Sequence, residues 1–225
     1  MNDRLPPSYA ASFDHLGQEE QQICQILLRC SSVLSIGGSS YIVYSLLGPR
    51  RESELKTKLF NRLLLGLSVS DVLSSLLLFL GAWPMPADSL HSASLHANLG
   101  NQATCDAQGM GLQVFYFSSI YYTACLSLHF LLYVKYQWTE QQLTRRAEPY
   151  MHVACWFLPL MTALICFAFD MYNPTAFFCY VVTYPVVSTK QVRSCMRTLM
   201  CFIVLLTSLA YPQPRDATIT MTCPV

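Results

Sequence analysis

The chain has 225 residues, of which 53% are apolar and 12% are charged, and its formal net charge is +1. Soluble domains usually carry about 25% charged residues, so this composition indicates a membrane protein. The near-neutral charge, without a basic cluster, excludes nucleic acid as a partner. The ten cysteines are not set in CxxC pairs, so we expect neither a zinc site nor a disulfide-rich secreted scaffold.

Four stretches are long and apolar enough to cross a bilayer, because about 20 helical residues span its hydrocarbon core. A polar extracellular tail, residues 1–22, precedes spans at residues 23–47, 59–83, 110–136 and 150–172. An atypical tail, residues 186–225, contains an apolar segment at 199–211 that is too short for a span. The sequence therefore predicts an all-α, multi-pass transmembrane helix bundle with four spans and at most a short fifth.

The second span carries one acidic residue, Asp71, in the middle of the apolar run LFNRLLLGLSVSDVLSSLLLFLGAW. A carboxylate at that depth costs a few kcal/mol or more unless it faces other helices, water or an ion. We therefore expect Asp71 to face the interior of the bundle.

The third span has one face that is more polar than the others. Its residues recur at helical spacing, so they lie on the same side of the helix; they are Gln113, Tyr116, Ile120, Thr123 and Ser127. We expect this face to point inward. Two interpretations remain open: hydrogen bonds to neighbouring helices, or the lining of a cavity that holds a ligand or water.

The positions of lysine and arginine predict the orientation of the chain, because cytoplasmic loops are enriched in both. The loops after the second and fourth spans, residues 85–109 and 173–185, contain neither residue. The loops after the first and third spans, with their edges, contain Arg50, Arg51, Lys56, Lys58, Arg62, Lys135, Arg145 and Arg146. We therefore expect these two loops to be cytoplasmic and the N-terminus to lie outside.

Each of the two outer loops holds a single cysteine, Cys105 in one and Cys179 in the other. In an oxidising compartment the pair can form a disulfide, and the alternative is two free thiols. We favour the disulfide, which would hold the second outer loop over the bundle.

Several motifs together resemble the heptahelical G-protein-coupled receptors. Asn61 and Asp71 in NRLLLGLSVSD resemble their second helix, and a cysteine before the third helix, a cysteine in the second outer loop and Trp156 in the fourth helix fit the same pattern. The runs YYTACLSLHFLLYVKYQWTE, EPYMH and MYNPTAFFCYVVTYP look most like divergent protist and microalgal receptors, between the cAMP-receptor-like and rhodopsin-like groups. The resemblance covers about residues 23–185.

The resemblance implies roles for particular residues. Asp71 matches the helix-two acid that binds sodium and links ligand binding to movement of the cytoplasmic helix ends. Cys105 and Cys179 match the outer disulfide of the family. The cytoplasmic arginines, Arg50, Arg51, Arg145 and Arg146, match the side that faces the G protein. The chain departs from the family at the inner end of the third span, which has His129-Phe130 in place of an Asp-Arg-Tyr motif.

We therefore expect a receptor in the plasma membrane that senses an extracellular ligand and relays to a heterotrimeric G protein. We expect it to be neither an enzyme nor a holder of a cofactor. Four spans instead of seven imply truncation after the fourth helix, so that signalling needs a partner such as a second receptor. The alternatives are a four-span structural or scaffold membrane protein, a partner-dependent receptor fragment and a half-transporter. A receptor predicts that Asp71 faces inward, toward the polar face of the third span.

Overall fold

The computed structural model describes residues 18–48, 58–86, 98–175 and 177–181. Within these ranges the chain forms five helices and two short strands, which confirms the predicted all-α class. The elements, in chain order, are α1 (Gln18–Leu47), α2 (Leu59–Leu80), α3 (Gln102–Val134), α4 (Glu140–Arg146), α5 (Glu148–Ala168), β1 (Tyr172–Pro174) and β2 (Cys179–Val181). All of these helices except α4 are long and apolar enough to cross a membrane.

The long helices pack in sequence order, with α1 on α2, α2 on α3 and α3 on α5. The largest group of buried apolar residues joins α2, α3 and α5 to α4 and includes Leu63, Tyr122 and Leu143. Many large apolar side chains point outward instead, among them Leu34, Leu76, Phe157 and Ile165. Outward apolar side chains are what a bilayer requires, because lipid tails solvate them as well as a protein core does.

Several helix ends differ from the hydropathy prediction, most of all the starts of α1 and α3. Helix α1 begins at Gln18, inside the predicted tail, and α3 begins at Gln102 rather than at residue 110. At the start of α3 the Asn101 side chain accepts from the Thr104 backbone N–H, and the Thr104 hydroxyl accepts from the Asn101 N–H. This capping box satisfies two backbone donors at the helix start.

Helix α4 lies in the stretch 137–149 that was predicted to be a loop. Thr139 and Gln142 form a second capping box at its start. Leu143 is fully buried, so the short helix is anchored to the bundle. The predicted loop after the fourth span contains an antiparallel hairpin, in which Tyr172 pairs with Val181 and Pro174 with Cys179.

Some predictions fall on residues outside the described ranges. These are the predicted cytoplasmic cations Arg50, Arg51 and Lys56 and the apolar segment 199–211, and they stay predictions.

Candidate functional site

Asp71 contacts the third span in the middle of the bundle. Its Oδ1 accepts a hydrogen bond of 2.5 Å from the Ser119 hydroxyl of α3. Its backbone carbonyl accepts a second one, of 3.1 Å, from Ser74. A hydrogen bond to a charged group contributes about 1.5–3 kcal/mol, so this contact ties α2 to α3 at mid-depth.

The partner of Asp71 is not on the face of α3 that was predicted to point inward. Of that face, Gln113 is buried, whereas Tyr116 and Ile120 are 50% and 46% exposed. Thr123 and Ser127 are exposed as well, and their hydroxyls donate to backbone carbonyls one turn earlier. A hydroxyl satisfied by its own helix needs no other partner. These four side chains are therefore exposed among the described residues, and both their inward orientation and their role in lining a cavity stay predictions.

A hydrogen-bonded aromatic group lies on the side of Asp71 towards α4. The Tyr122 hydroxyl accepts from Trp156 Nε1 at 2.9 Å and lies 3.0 Å from His152 Nδ1. The ring of Tyr122 packs so closely on Gly66 that a Cβ added to this glycine would lie 2.5 Å from the ring Cζ. Gly66 is therefore the residue that lets α3 approach α2 here. The tryptophan that marked the family resemblance thus belongs to a group joining α3 to α5.

At the α4 end, an ion pair joins the start of α2 to the start of α5. Arg62 donates to both carboxylate oxygens of Glu148, at 2.6 and 2.7 Å, and to the Thr144 hydroxyl at 3.1 Å. Glu140 of α4 accepts from the Leu59 backbone N–H at 2.6 Å. A bidentate pair of this kind fixes geometry as well as charge. This end of the bundle is held by side chains from three helices.

Two other titratable side chains lie at this end of the bundle, one of them buried and the other exposed. His129, near the end of α3, is buried, and its Nε2 lies 3.7 Å from Glu140. Lys58, directly before α2, is exposed.

At the opposite end, the structure joins Cys105 to Cys179 by a disulfide with a Cα–Cα distance of 5.3 Å. This is the pair that the sequence favoured. Cys105 lies in the first turns of α3, and Cys179 begins β2. The bond holds the hairpin against the end of α3, and both cysteines are fully buried beside Ala82 and Met85. We call this the disulfide end of the bundle.

Gln108 joins the elements of the disulfide end, a role that was not predicted from the sequence. Its side-chain amide donates to the backbone carbonyls of Leu77 and Gly81, at 3.0 and 2.9 Å, and its Oε1 accepts from the Cys179 N–H at 3.0 Å. The last four carbonyls of a helix lack intrahelical partners, and Leu77 belongs to the last turn of α2. Gln108 therefore caps α2 and holds β2 at once. Its position one turn after Cys105 was the available signal, because that places it on the same side of α3.

Tyr172 fixes the hairpin to the helices beneath it. Its hydroxyl donates to the Ala163 carbonyl at 3.2 Å, and its ring packs against Gly109, where an added Cβ would lie 2.5 Å from the ring. Burial raises the pKa of Tyr172 above that of a free tyrosine. Burial also raises the pKa of Tyr180 in β2. Both phenols therefore favour the neutral form while the hairpin is packed against the helices.

Taken together, four apolar helices, a carboxylate bonded between two of them and a disulfide-tied hairpin at one end define a multi-pass α-helical membrane protein. No family model matches the chain. A stretch of 77 residues is 36% identical to "Cyclic AMP receptor-like protein A" of Dictyostelium discoideum. The match covers 34% of this chain and only 20% of that protein. The four apolar helices indicate a membrane protein, and the match is too short to assign the chain to a family.

Proposed function

We propose that the chain is a receptor of the G-protein-coupled type, with its N-terminus and disulfide end outside the cell and its α4 end in the cytoplasm. A ligand at the disulfide end would bias the packing of α2 on α3, and the α4 end would present that change to a heterotrimeric G protein. The absence of lysine and arginine from residues 85–109 and 173–185 supports this orientation.

The observation that carries the proposal is the 2.5 Å hydrogen bond between Asp71 and Ser119. A carboxylate at mid-span is costly, and apolar contacts can pack helices in a membrane without that cost. Sliding of α3 along α2 would change this contact, so two packings of these helices would differ in energy. A difference of about 1.4 kcal/mol already shifts such an equilibrium tenfold.

The chemistry of the donors at Asp71 fits a hard monovalent cation such as sodium. Asp71 and Ser119 offer only oxygen atoms, which hard cations prefer as ligands. Bound there, the cation would neutralise the carboxylate and favour one packing of α2 on α3. In a receptor of this type, sodium therefore changes the affinity for the ligand, and the ligand changes the affinity for sodium by the same factor.

The name of the Dictyostelium relative supplies the first ligand to test, cyclic AMP. The experiment uses the full chain in lipid nanodiscs and measures its thermal unfolding in sodium chloride and in choline chloride at equal ionic strength, with and without cyclic AMP. We expect sodium to raise the unfolding temperature and cyclic AMP to change the size of that sodium effect.

Two serines of the bundle provide matched variants. Ser119→Ala removes the partner of the carboxylate, whereas Ser70→Ala removes a hydroxyl that only donates to the Gly66 carbonyl. We expect Asp71→Asn and Ser119→Ala to abolish the sodium effect and Ser70→Ala to keep it. If Asp71→Asn folds normally and the wild type responds to neither sodium nor cyclic AMP, the receptor proposal fails and the four-span scaffold is favoured.

A further inference from the structure

The short helix α4 divides into a face that contacts the bundle and a face that does not. Glu140, Leu143 and Thr144 face inward, where they contact Leu59, the apolar core and Arg62, respectively. The other residues of α4 form the outer face, which consists of Gln141, Gln142, Arg145 and Arg146, and all of these are exposed. The helix therefore presents two adjacent guanidinium groups away from the bundle.

No carboxylate compensates this outer face among the residues that the structure describes. Both acids next to it act on the inner side, since Glu140 accepts from a backbone N–H and Glu148 holds Arg62. No described acid forms an ion pair with Arg145 or Arg146. Exposed arginines that have no described carboxylate partner can bind an anion from outside the protein.

The surroundings place this face at the level of lipid headgroups. Helix α4 lies between the end of α3 and the start of α5, both of which are apolar enough to cross the membrane. Tyr133 and Tyr150, which flank it along the chain, are 52% and 61% exposed. Exposed tyrosine and tryptophan side chains are enriched where a span meets the membrane–water interface. Lys135, at the end of α3, is exposed too and adds a third cation near this level.

We propose that Arg145 and Arg146, with Lys135, form a docking surface for the headgroups of anionic phospholipids. The planar guanidinium group matches the phosphate group, and it donates two parallel hydrogen bonds to it. The anchored inner face of α4 holds the two arginines at the membrane surface without further ordering. This surface requires neither the proposed ligand nor the proposed G protein, so the lipid proposal is tested independently of the receptor proposal.

The test measures lipid selection by the full chain in nanodiscs that contain equal amounts of phosphatidylcholine and phosphatidylserine. Native mass spectrometry counts the lipids that each protein molecule retains after ejection from the disc. The nanodisc exposes both ends of the bundle to the same lipids, so the result does not depend on the orientation in a cell. We expect the wild type to be enriched in phosphatidylserine, and we expect salt to reduce the enrichment by screening.

Three variants make the test specific. Arg145→Gln with Arg146→Gln should lower the enrichment about thirtyfold, given the attraction of each of the two basic residues to an anionic surface. Arg145→Lys with Arg146→Lys keeps the charge but loses the paired hydrogen bonds, so it should retain part of the enrichment. Arg29→Gln, which removes a cation packed over Trp83 at the disulfide end, should not change it.

Three results would overturn the proposal: full enrichment in the double glutamine variant, an equal loss in Arg29→Gln, or an enrichment that salt does not change. If the double glutamine variant keeps its lipid selection but loses binding to a purified G protein, the face belongs to a protein partner instead. Arg145 and Arg146 are exposed, so folding of the two double variants is expected to be unchanged. Arg29 is half-buried over Trp83, so the thermal unfolding temperature of every variant is compared with that of the wild type.

Discussion

Replacing Gln108 with leucine tests whether one side chain holds the disulfide end together. The change keeps the size of the side chain and removes its three hydrogen bonds, which reach Leu77, Gly81 and Cys179. Each lost bond costs about 1 kcal/mol in net stability, which gives about 3 kcal/mol in total. The more apolar leucine recovers about 1 kcal/mol by burial. We therefore expect a net loss of about 2 kcal/mol in the free energy of unfolding.

Gln113→Leu is the matched control, because it makes the same change on the same helix. Gln113 is also buried, at 9% exposure against 2% for Gln108, and it makes no hydrogen bond to another described residue. Removing its amide should leave the free energy of unfolding nearly unchanged, because the change breaks no hydrogen bond to another described residue.

The assay is denaturant unfolding of the purified chain in detergent, followed by tryptophan fluorescence. Trp83 lies just beyond the end of α2 and reports on the region that Gln108 caps. Counting free thiols confirms that the disulfide between Cys105 and Cys179 has formed in both variants. Equal stability of Gln108→Leu and Gln113→Leu would refute the idea that Gln108 caps α2.

Two other predictions follow from close packing and from burial. Gly66→Ala should destabilise the fold by about 1–3 kcal/mol, because its Cβ would overlap the Tyr122 ring; Gly38→Ala, which meets open space, should not, and thermal unfolding compares the two. Because burial raises the pKa of Tyr172, its contribution to stability should be complete below about pH 10 and lost as the pH rises further. Unfolding temperatures measured against pH should show this loss for the wild type and a smaller loss for Tyr172→Phe.

Particular residues show why the orientation of α3 could not be predicted from its polarity. Thr123 and Ser127 form their hydrogen bonds within α3, so they do not draw that face inward. The Ser119 side chain is no more polar than those of Thr123 and Ser127, yet its hydroxyl donates a hydrogen bond to Asp71 of α2. A helical pattern shows which residues share a face, but the neighbouring helix decides which face is buried.

The sequence by itself determined the four spans, the acid at mid-span and the two cysteines of the disulfide. A span is predicted from the hydropathy of consecutive residues and from whether the apolar stretch is long enough to cross the bilayer. Neither quantity depends on the neighbouring helices. Only the tertiary structure decided the rotation of α3, the packing of α4 and the partners of Gln108, which lie 27 to 71 residues away. These contacts depend on how separate helices approach one another, and no local pattern in the chain records that distance.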